Sequence, residues 1–246
     1  MKRIKLKTFF KRCIYQSKSG IKIYQNPLYR WMTFSTKPIQ TLINRYNPTK
    51  PQLTYYPPLA LAAYTQPGNS CLLGLGGGGM VHMLSNTLNG YTFDVVELSE
   101  EVVSLSKQYF GLDTLQGFNL HQQDAVEFIS QTKTSYQTIM IDLFDDNALP
   151  EQCTTDSFFL DCYNKLKADG VLSINIANGK QQWDVLMKLK PLFEQGLISI
   201  PIDGSANIVM IASKTKTVEP LLDMIYATQT IQSQSWDPDW GYIIEL

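Results

Sequence analysis

The sequence predicts an α/β fold in which a doubly wound, mostly parallel, Rossmann-like sheet follows a small N-terminal β unit. Short apolar runs alternate with helical segments of about 10–15 residues from residue 69 onward, a pattern typical of parallel sheets. A glycine-rich loop follows the first of these runs. The charge also changes near residue 50, where a stretch rich in lysine and arginine gives way to an acidic one.

Charge divides the 246 residues into two parts. Residues 1–50 hold twelve lysines and arginines and no acid, whereas residues 51–246 hold nine lysines, 22 acids and no arginine. This asymmetry predicts two units, a basic N-terminal β-hairpin unit (1–50) and an acidic Rossmann-like domain (51–246). An acidic body without arginine is poorly suited to clamp a phosphate or a carboxylate and favours a cationic ligand.

The basic N-terminal arm, MKRIKLKTFFKR, is predicted to form a solvated edge strand, with binding of nucleic acid through this arm as the alternative. Docking of the arm on the acidic body of its own or a neighbouring chain is a further interpretation. The runs CIYQS and IKIYQN, bridged by turn residues 18–20, predict a hairpin, and residues 28–34 alternate as another strand. Pro48 and Pro51 close this β unit.

Composition excludes several classes of protein. No apolar run reaches the roughly 18–20 residues of a membrane-spanning helix, so no membrane partner is expected. The chain has two histidines, and its four cysteines form no C-x-x-C pair, which argues against a zinc site or a disulfide framework. We therefore expect no metal, reduced thiols and a cytoplasmic location.

The elements after residue 69 follow in chain order. Helices are predicted up to residue 88, from Ser99 onward, and over residues 124–130, 155–167 and 181–193. Ser99 is a suitable N-cap because two acids follow it in the first turn. The aromatic tail, residues 236–242, is expected over the cleft or at a subunit contact. Strands are predicted at residues 71–73, 91–98, 119–122, 138–143 and 171–176, and a last antiparallel pair at 197–201 and 207–212.

Candidate nucleoside-binding residues follow the first three strands of this sheet. Glycines let the backbone turn sharply and approach a ligand at the N-terminus of a helix. A carboxylate about 20 residues later accepts hydrogen bonds from ribose hydroxyls, and Glu97, with Leu98 beside it, has this position. Asp124 and Ala125 can face an adenine, although Asp124 is equally suited to cap the next helix. The candidate glycines are Gly74, Gly76, Gly77 and Gly78.

Acids follow the fourth strand, in the sequence Asp142-Leu-Phe-Asp145-Asp146. Ligands of open parallel sheets lie at the carboxyl ends of strands, so these acids are expected in the same cleft as the glycine loop. A carboxylate there can take a proton from an attacking amine, and a neighbouring one can hold an ammonium group.

This order of motifs resembles spermidine synthase, a polyamine aminopropyltransferase, over about residues 28–213. The stretch DLFDDNALPEQCTTDSFFLDCYNKLKADGVLSIN carries the most specific likeness. The resemblance implies a Rossmann domain of the class I methyltransferase type with a small N-terminal β domain. It also implies Asp142 as catalytic base, Asp145 as the group that binds the acceptor, and Gln40 near the donor.

The sequence departs from that family at three places. One is Ser99, because the family has an acid two places after the ribose-binding glutamate. The family's loop usually reads GGGDGG, and its aspartate holds the amino group of the donor, whereas this chain has Gly77 at that position. The family's Tyr-His-Glu element aligns with Tyr55-Tyr56-Pro57, which has neither the imidazole nor the carboxylate. Tyr55 and Tyr56 are therefore candidates either for substrate binding or for ordinary packing at a domain junction.

The resemblance implies transfer of an aminopropyl group from decarboxylated S-adenosylmethionine to a diamine such as putrescine, with a homodimer as the expected assembly. Two alternatives stay open. The chain can be a small-molecule methyltransferase that uses intact S-adenosylmethionine, because the loss of an acid at Gly77 does not weaken that interpretation. It can also be a nucleoside-binding protein that has lost catalysis.

Overall fold

The computed structural model describes residues 2–34, 39–144 and 148–246, without the side chains of residues 2 and 3. It contains two sheets. The N-terminal residues form a four-stranded antiparallel sheet in the order β1-β2-β3-β4. Its strands are β1 (Arg12–Gln16), β2 (Ile21–Gln25), β3 (Tyr29–Phe34) and β4 (Ile39–Asn44). The predicted hairpin is therefore present as β1 and β2, whereas the domain boundary at residue 50 stays a prediction.

The first residues of the arm are helical, so the prediction of an edge strand there was wrong. Helix α1 covers Lys2–Lys7, and Thr8 donates a hydrogen bond from Oγ1 to the carbonyl oxygen of Ile4 (3.0 Å). Ile4 packs against the buried cluster that contains Trp31. The edge strand begins only at Arg12, because apolar contact with the sheet favours a helical turn over the preceding residues.

The larger sheet has nine strands in the order β12-β13-β10-β11-β9-β8-β5-β6-β7. Pairing is parallel from β7 through β9, and β11 runs antiparallel to β9 and to β10. This arrangement confirms the predicted α/β class with a mostly parallel sheet and an antiparallel portion. Its strands are β5 (Ser70–Leu73), β6 (Phe93–Glu97), β7 (Asn119–Gln122), β8 (Tyr136–Ile141), β9 (Leu166–Ile176), β10 (Leu197–Pro201), β11 (Ile208–Ser213), β12 (Ser233–Asp237) and β13 (Gly241–Glu245).

The predicted terminal pair is not the end of the sheet. The aromatic tail forms the hairpin β12–β13, and β13 pairs in parallel with β10 through Ile198 opposite Tyr242. The tail therefore extends the sheet beside β10, and a subunit contact through it stays a prediction. Its consecutive aromatic and β-branched residues, Tyr242 to Ile244, favour this strand once an edge is available.

Helices cover both faces of the sheet. Successive residues of β5 point to opposite sides: Leu72 belongs to one buried cluster, and Cys71 and Leu73 belong to the other. No helix among residues 2–34, 39–144 and 148–246 is long and apolar enough to cross a bilayer. The helices after α1 are α2 (Tyr56–Leu59), α3 (Leu61–Thr65), α4 (Gly79–Leu84), α5 (Glu100–Phe110), α6 (Ala125–Gln131), α7 (Asp156–Lys165), α8 (Gly179–Phe193) and α9 (Glu219–Thr228).

Candidate active site

The glycine loop joins β5 to α4 and lies against the end of β8. Gly74, Gly76 and Gly78 have φ angles of +102°, +53° and +77°, a region that residues with a Cβ rarely adopt. A Cβ at Gly74 would also collide with the backbone carbonyl of Asp142. Glycine is therefore required there because the backbone of the loop meets the backbone just after β8.

Glu97 ends β6 and faces this loop. Its carboxylate accepts hydrogen bonds from the backbone N–H of Leu75 (3.2 Å) and of Ser99 (2.9 Å). Burial raises the pKa of Glu97, while the backbone N–H groups act in the opposite direction. A carboxylate has about four acceptor positions, and these backbone N–H groups already use at least two of them, so a contact between Glu97 and ribose hydroxyls stays a prediction. Leu98 follows with an exposed side chain.

Asp124 caps α6, which confirms one of the two roles predicted for it. Its Oδ1 accepts hydrogen bonds from the backbone N–H of Val126 (2.8 Å) and Glu127 (3.1 Å). Ala125 is the first residue of the helix and is buried. Capping occupies one carboxylate oxygen, and a contact between Asp124 and a nucleoside stays a prediction.

Asp142 lies just after β8 and is held from two sides. Its Oδ2 accepts a hydrogen bond from the hydroxyl of Tyr55 (3.2 Å), and its Oδ1 accepts one from Nδ2 of Asn175 (2.9 Å). Burial raises the pKa of Asp142 from 3.8 to about 6, although the two hydrogen bonds lower it. Burial likewise raises the pKa of Tyr55 well above 10, with the charge of Asp142 adding to the effect. Asp142 is consequently ionised at neutral pH, but it is far more basic than an exposed aspartate.

Tyr56 lies beside Tyr55 but packs against the glycine loop. The two rings meet edge to face with centroids 4.9 Å apart. A Cβ at Gly79 would come within 2.8 Å of the Tyr56 ring and hydroxyl. Tyr56 is buried, and its packing function is directly visible, whereas a contact with substrate stays a prediction.

Strand β4 of the N-terminal sheet contacts the glycine loop. Thr41 accepts a hydrogen bond at Oγ1 from the backbone N–H of Gly77 (2.6 Å). A Cβ at Gly77 would lie 2.9 Å from Cγ2 of Thr41 and 3.1 Å from Cδ1 of Phe110. Gln40 brings its backbone oxygen close to Gly76. The direction in which a side chain at position 77 would point is therefore already filled.

Sequence reasoning missed Thr41, Asn175 and Asn207. Thr41 carries no distinguishing signal, because it is an ordinary residue of an alternating strand. Asn175 does carry one, since it is a polar residue in the apolar run of β9. Asn207 donates from Nδ2 to Oδ1 of Asn175 (2.8 Å) and thus extends the polar contacts of Asp142.

Other predictions about the site have different outcomes. Asp145 and Asp146 lie outside the described residues, so nothing is stated about their positions. In the part of the chain that the structure describes, no group of three or more His, Cys, Asp or Glu side chains could hold a metal ion. An open cavity of about 560 Å³ lies elsewhere, between β3 and the end of α5, where it is lined by residues that include Arg30 and Lys107.

Comparison with known proteins finds similar sequences. Residues 59–190 match the family model of the spermine/spermidine synthase domain. A polyamine aminopropyltransferase of Neisseria meningitidis serogroup A is 23% identical over 193 residues, which are 76% of this chain and 73% of that protein.

Solved structures share the fold. A spermidine synthase in complex with the transition-state analogue AdoDATO aligns with a TM-score of 0.66 and 20% identity, over 82% of this chain and 74% of its own. Human methyltransferase-like protein 13 in complex with SAH aligns with a TM-score of 0.61 and 21% identity, over 77% of this chain and 97% of its own. The resemblance inferred from the motifs is thereby confirmed, and the family match covers more than half of the sequence. The chain belongs to the spermine/spermidine synthase family, whose curated members are named polyamine aminopropyltransferases.

Proposed function

We propose that this protein is an aminopropyltransferase that moves an aminopropyl group from decarboxylated S-adenosylmethionine to a diamine such as putrescine. The observation that carries the proposal is Asp142, a carboxylate with a pKa raised to about 6 at the end of β8, bonded to Tyr55 and Asn175. Such a group is charged at neutral pH and basic enough to take a proton from a reacting amine.

The reaction is a single displacement. The nitrogen of a neutral amine attacks the carbon next to the sulfonium, a C–N bond forms, and the C–S bond breaks. The electron pair of that bond goes to sulfur, and methylthioadenosine leaves as a neutral thioether. The attacking nitrogen loses one proton, which Asp142 accepts. Because sulfonium is a good leaving group, positioning of the amine is the main task of the protein.

The donor is proposed to bind across the glycine loop, with its ribose on Glu97 and its adenine near Asp124. Glu97 supports this assignment because its side chain lies at the end of β6 and already faces the loop. The loop glycines have no side chains, so the donor can approach the backbone of the loop closely. Gln40 is assigned to the donor by the family resemblance, and its backbone lies beside Gly76.

The acceptor is proposed to be a small cationic amine. The reacting end meets Asp142 and Tyr55, and Asp145 receives the distal ammonium. An acidic body without arginine supports a cationic acceptor over an anionic one. A positive acceptor also favours the ionised form of the carboxylates around it.

Methyl transfer from intact S-adenosylmethionine is a second candidate, because one observation favours it. Gly77 supplies no carboxylate for a donor amine, and Thr41 and Phe110 fill the space that a side chain there would need. The match to a methyltransferase-like protein in complex with SAH is compatible with this candidate.

Assembly and location also belong to the proposal. We expect a homodimer, because β1 and β12 are edge strands and exposed edges favour pairing with another chain. A cytoplasmic location accords with the four free thiols of the chain.

Calorimetric titration tests the proposal. Methylthioadenosine, S-adenosylmethionine and its decarboxylated form are each titrated with and without putrescine. Tighter binding of the decarboxylated donor, followed by formation of an aminopropylated product, is expected. Preference for the carboxylated donor would favour methyl transfer, and binding without any turnover would indicate a nucleoside-binding protein. Asp142→Asn should abolish turnover while it spares donor binding, and Asp223→Asn, on the exposed face of α9, is the matched control.

A further inference from the structure

A chain of polar side chains leads from Asp142 to the surface. Asn175 donates from Nδ2 to Asp142 (2.9 Å), and Asn207 donates from Nδ2 to Oδ1 of Asn175 (2.8 Å). The hydroxyl of Ser205 in turn donates to Oδ1 of Asn207. Asn175 is fully buried, with 0% of its surface exposed, whereas Ser205 is exposed.

Each link in this chain has a direction. A side-chain amide donates through nitrogen and accepts through oxygen. Since Asn207 presents its nitrogen, Asn175 must turn its oxygen toward Asn207 and its nitrogen toward Asp142. Ser205 supports the orientation of Asn207, because its Oγ accepts the backbone N–H of Asn207 (3.2 Å) and its hydroxyl proton points to Oδ1. A hydroxyl can also accept, so this contact alone does not set the orientation of the Asn207 amide.

The opposite orientation of Asn175 is unfavourable at both ends. It would bring two NH₂ groups together at Asn207 and would place a carbonyl oxygen against the carboxylate of Asp142. A buried amide in that position loses two hydrogen bonds and gains two repulsive contacts. The orientation of a residue in β9 is thus set by a residue that precedes β11.

We propose that Asn207 is a positioning residue for the reaction: it fixes the amide of Asn175 so that this amide donates to Asp142 and keeps the carboxylate ionised and ready to accept a proton. This inference rests on the proposed function only for the role of Asp142 as a base. The orientation of the amide itself follows from the hydrogen bonds.

The surroundings of Asp142 support this role. Among the described residues, the side chains that act on it are the hydroxyl of Tyr55, from the segment before α2, and the amide of Asn175, from β9. Tyr56 lies in the same region, and burial raises its pKa. All three groups are neutral at neutral pH. The donors therefore oppose the effect of burial, which raises the pKa of Asp142.

A titration of Asp142 tests the proposal without an activity assay. The ¹³C resonance of the side-chain carboxyl is followed by NMR against pH in the full chain and is assigned from its loss in Asp142→Asn. Asn207→Leu removes the donor at nearly constant size, so only the charge of Asp142 still favours the donating orientation of Asn175. We expect the midpoint to rise by up to about one pH unit, because the hydrogen bond to the charged form is no longer held from its far side. Asn164→Leu, on the exposed side of α7, is the matched control and should leave the midpoint unchanged.

The pH dependence of turnover provides a second readout. The acidic limb of the kcat/KM profile should move upward with the NMR midpoint in Asn207→Leu, while donor affinity stays that of the parent chain. Ser205→Ala, at an exposed position, should produce a smaller shift in the same direction and serves as the measurement if Asn207→Leu does not fold. An unchanged midpoint in either folded variant would overturn the proposal. If the midpoint shifts in the variant but the parent chain turns over no donor, the proposed function is wrong. The role of Asn207 in orienting Asn175 would then stand.

Discussion

Replacement of Asp142 by asparagine should stabilise the folded chain at neutral pH while it removes the proposed base. Asparagine has nearly the same shape and can keep both hydrogen bonds: its oxygen accepts from Asn175, and its nitrogen can donate to the oxygen of Tyr55. The side chain thus loses its charge but not its contacts. The main change is that no ionised group has to be desolvated on folding.

The magnitude follows from the pKa of Asp142. Burial raises this pKa from 3.8 to about 6, which corresponds to at most about 3 kcal/mol at about 1.4 kcal/mol per pKa unit. Because the folded-state pKa is raised, the protonated form favours folding. The penalty is absent below about pH 3, where the carboxyl is protonated in both states, and it grows as the pH rises from the unfolded pKa through the folded pKa. Above about pH 7 it is complete.

Urea unfolding at pH 4 and at pH 8 measures this difference. The free energy of unfolding of Asp142→Asn, relative to the parent chain, should be higher at pH 8 than at pH 4 by up to about 3 kcal/mol. Asp223→Asn is the control for a change of one surface charge. A stability difference that is the same at both pH values would refute the reasoning, because it would show that Asp142 is not desolvated in the fold.

Three further changes test other parts of the site. Glu97→Gln places an amide against backbone N–H groups and should weaken methylthioadenosine binding by about tenfold or more, as measured by calorimetry. Gly77→Asp should lower the free energy of unfolding by about 1–3 kcal/mol, because its Cβ meets Thr41. Thr41→Ser, which removes the Cγ2 in contact, should recover part of that loss in denaturant unfolding. Tyr55→Phe removes a donor to Asp142 and should shift the acidic limb of the kcat/KM profile upward; an unshifted limb would exclude Tyr55 from this role.

Elements of the large sheet could be predicted where local signals are strong. The predicted strand at residues 119–122 coincides with β7, and Ser99 accepts a hydrogen bond from Val102 as an N-cap. The glycine-rich sequence that begins at Gly74 itself indicates the sharp turn found there. These features depend on neighbours in the chain, so the pattern of residues is sufficient.

Other elements depend on partners far away in sequence. Helix α1 has six residues and is too short to be stable alone, so its packing through Ile4 determines it. Hairpin β12–β13 forms because β10 offers an edge. Thr41 and Asn207 reach the site across 36 and 32 residues, from β4 to the glycine loop and from the start of β11 to β9. No local pattern encodes such contacts.

A crystal structure of the protein soaked with methylthioadenosine tests the central claim most directly. The account predicts the ribose hydroxyls on the carboxylate of Glu97, the adenine beside Asp124, and the thioether sulfur facing Asp142 across the glycine loop. A nucleoside bound elsewhere would contradict the account. A glycine loop that stays without ligand at saturating methylthioadenosine, with its contacts to Thr41 and Tyr56 unchanged, would also contradict it.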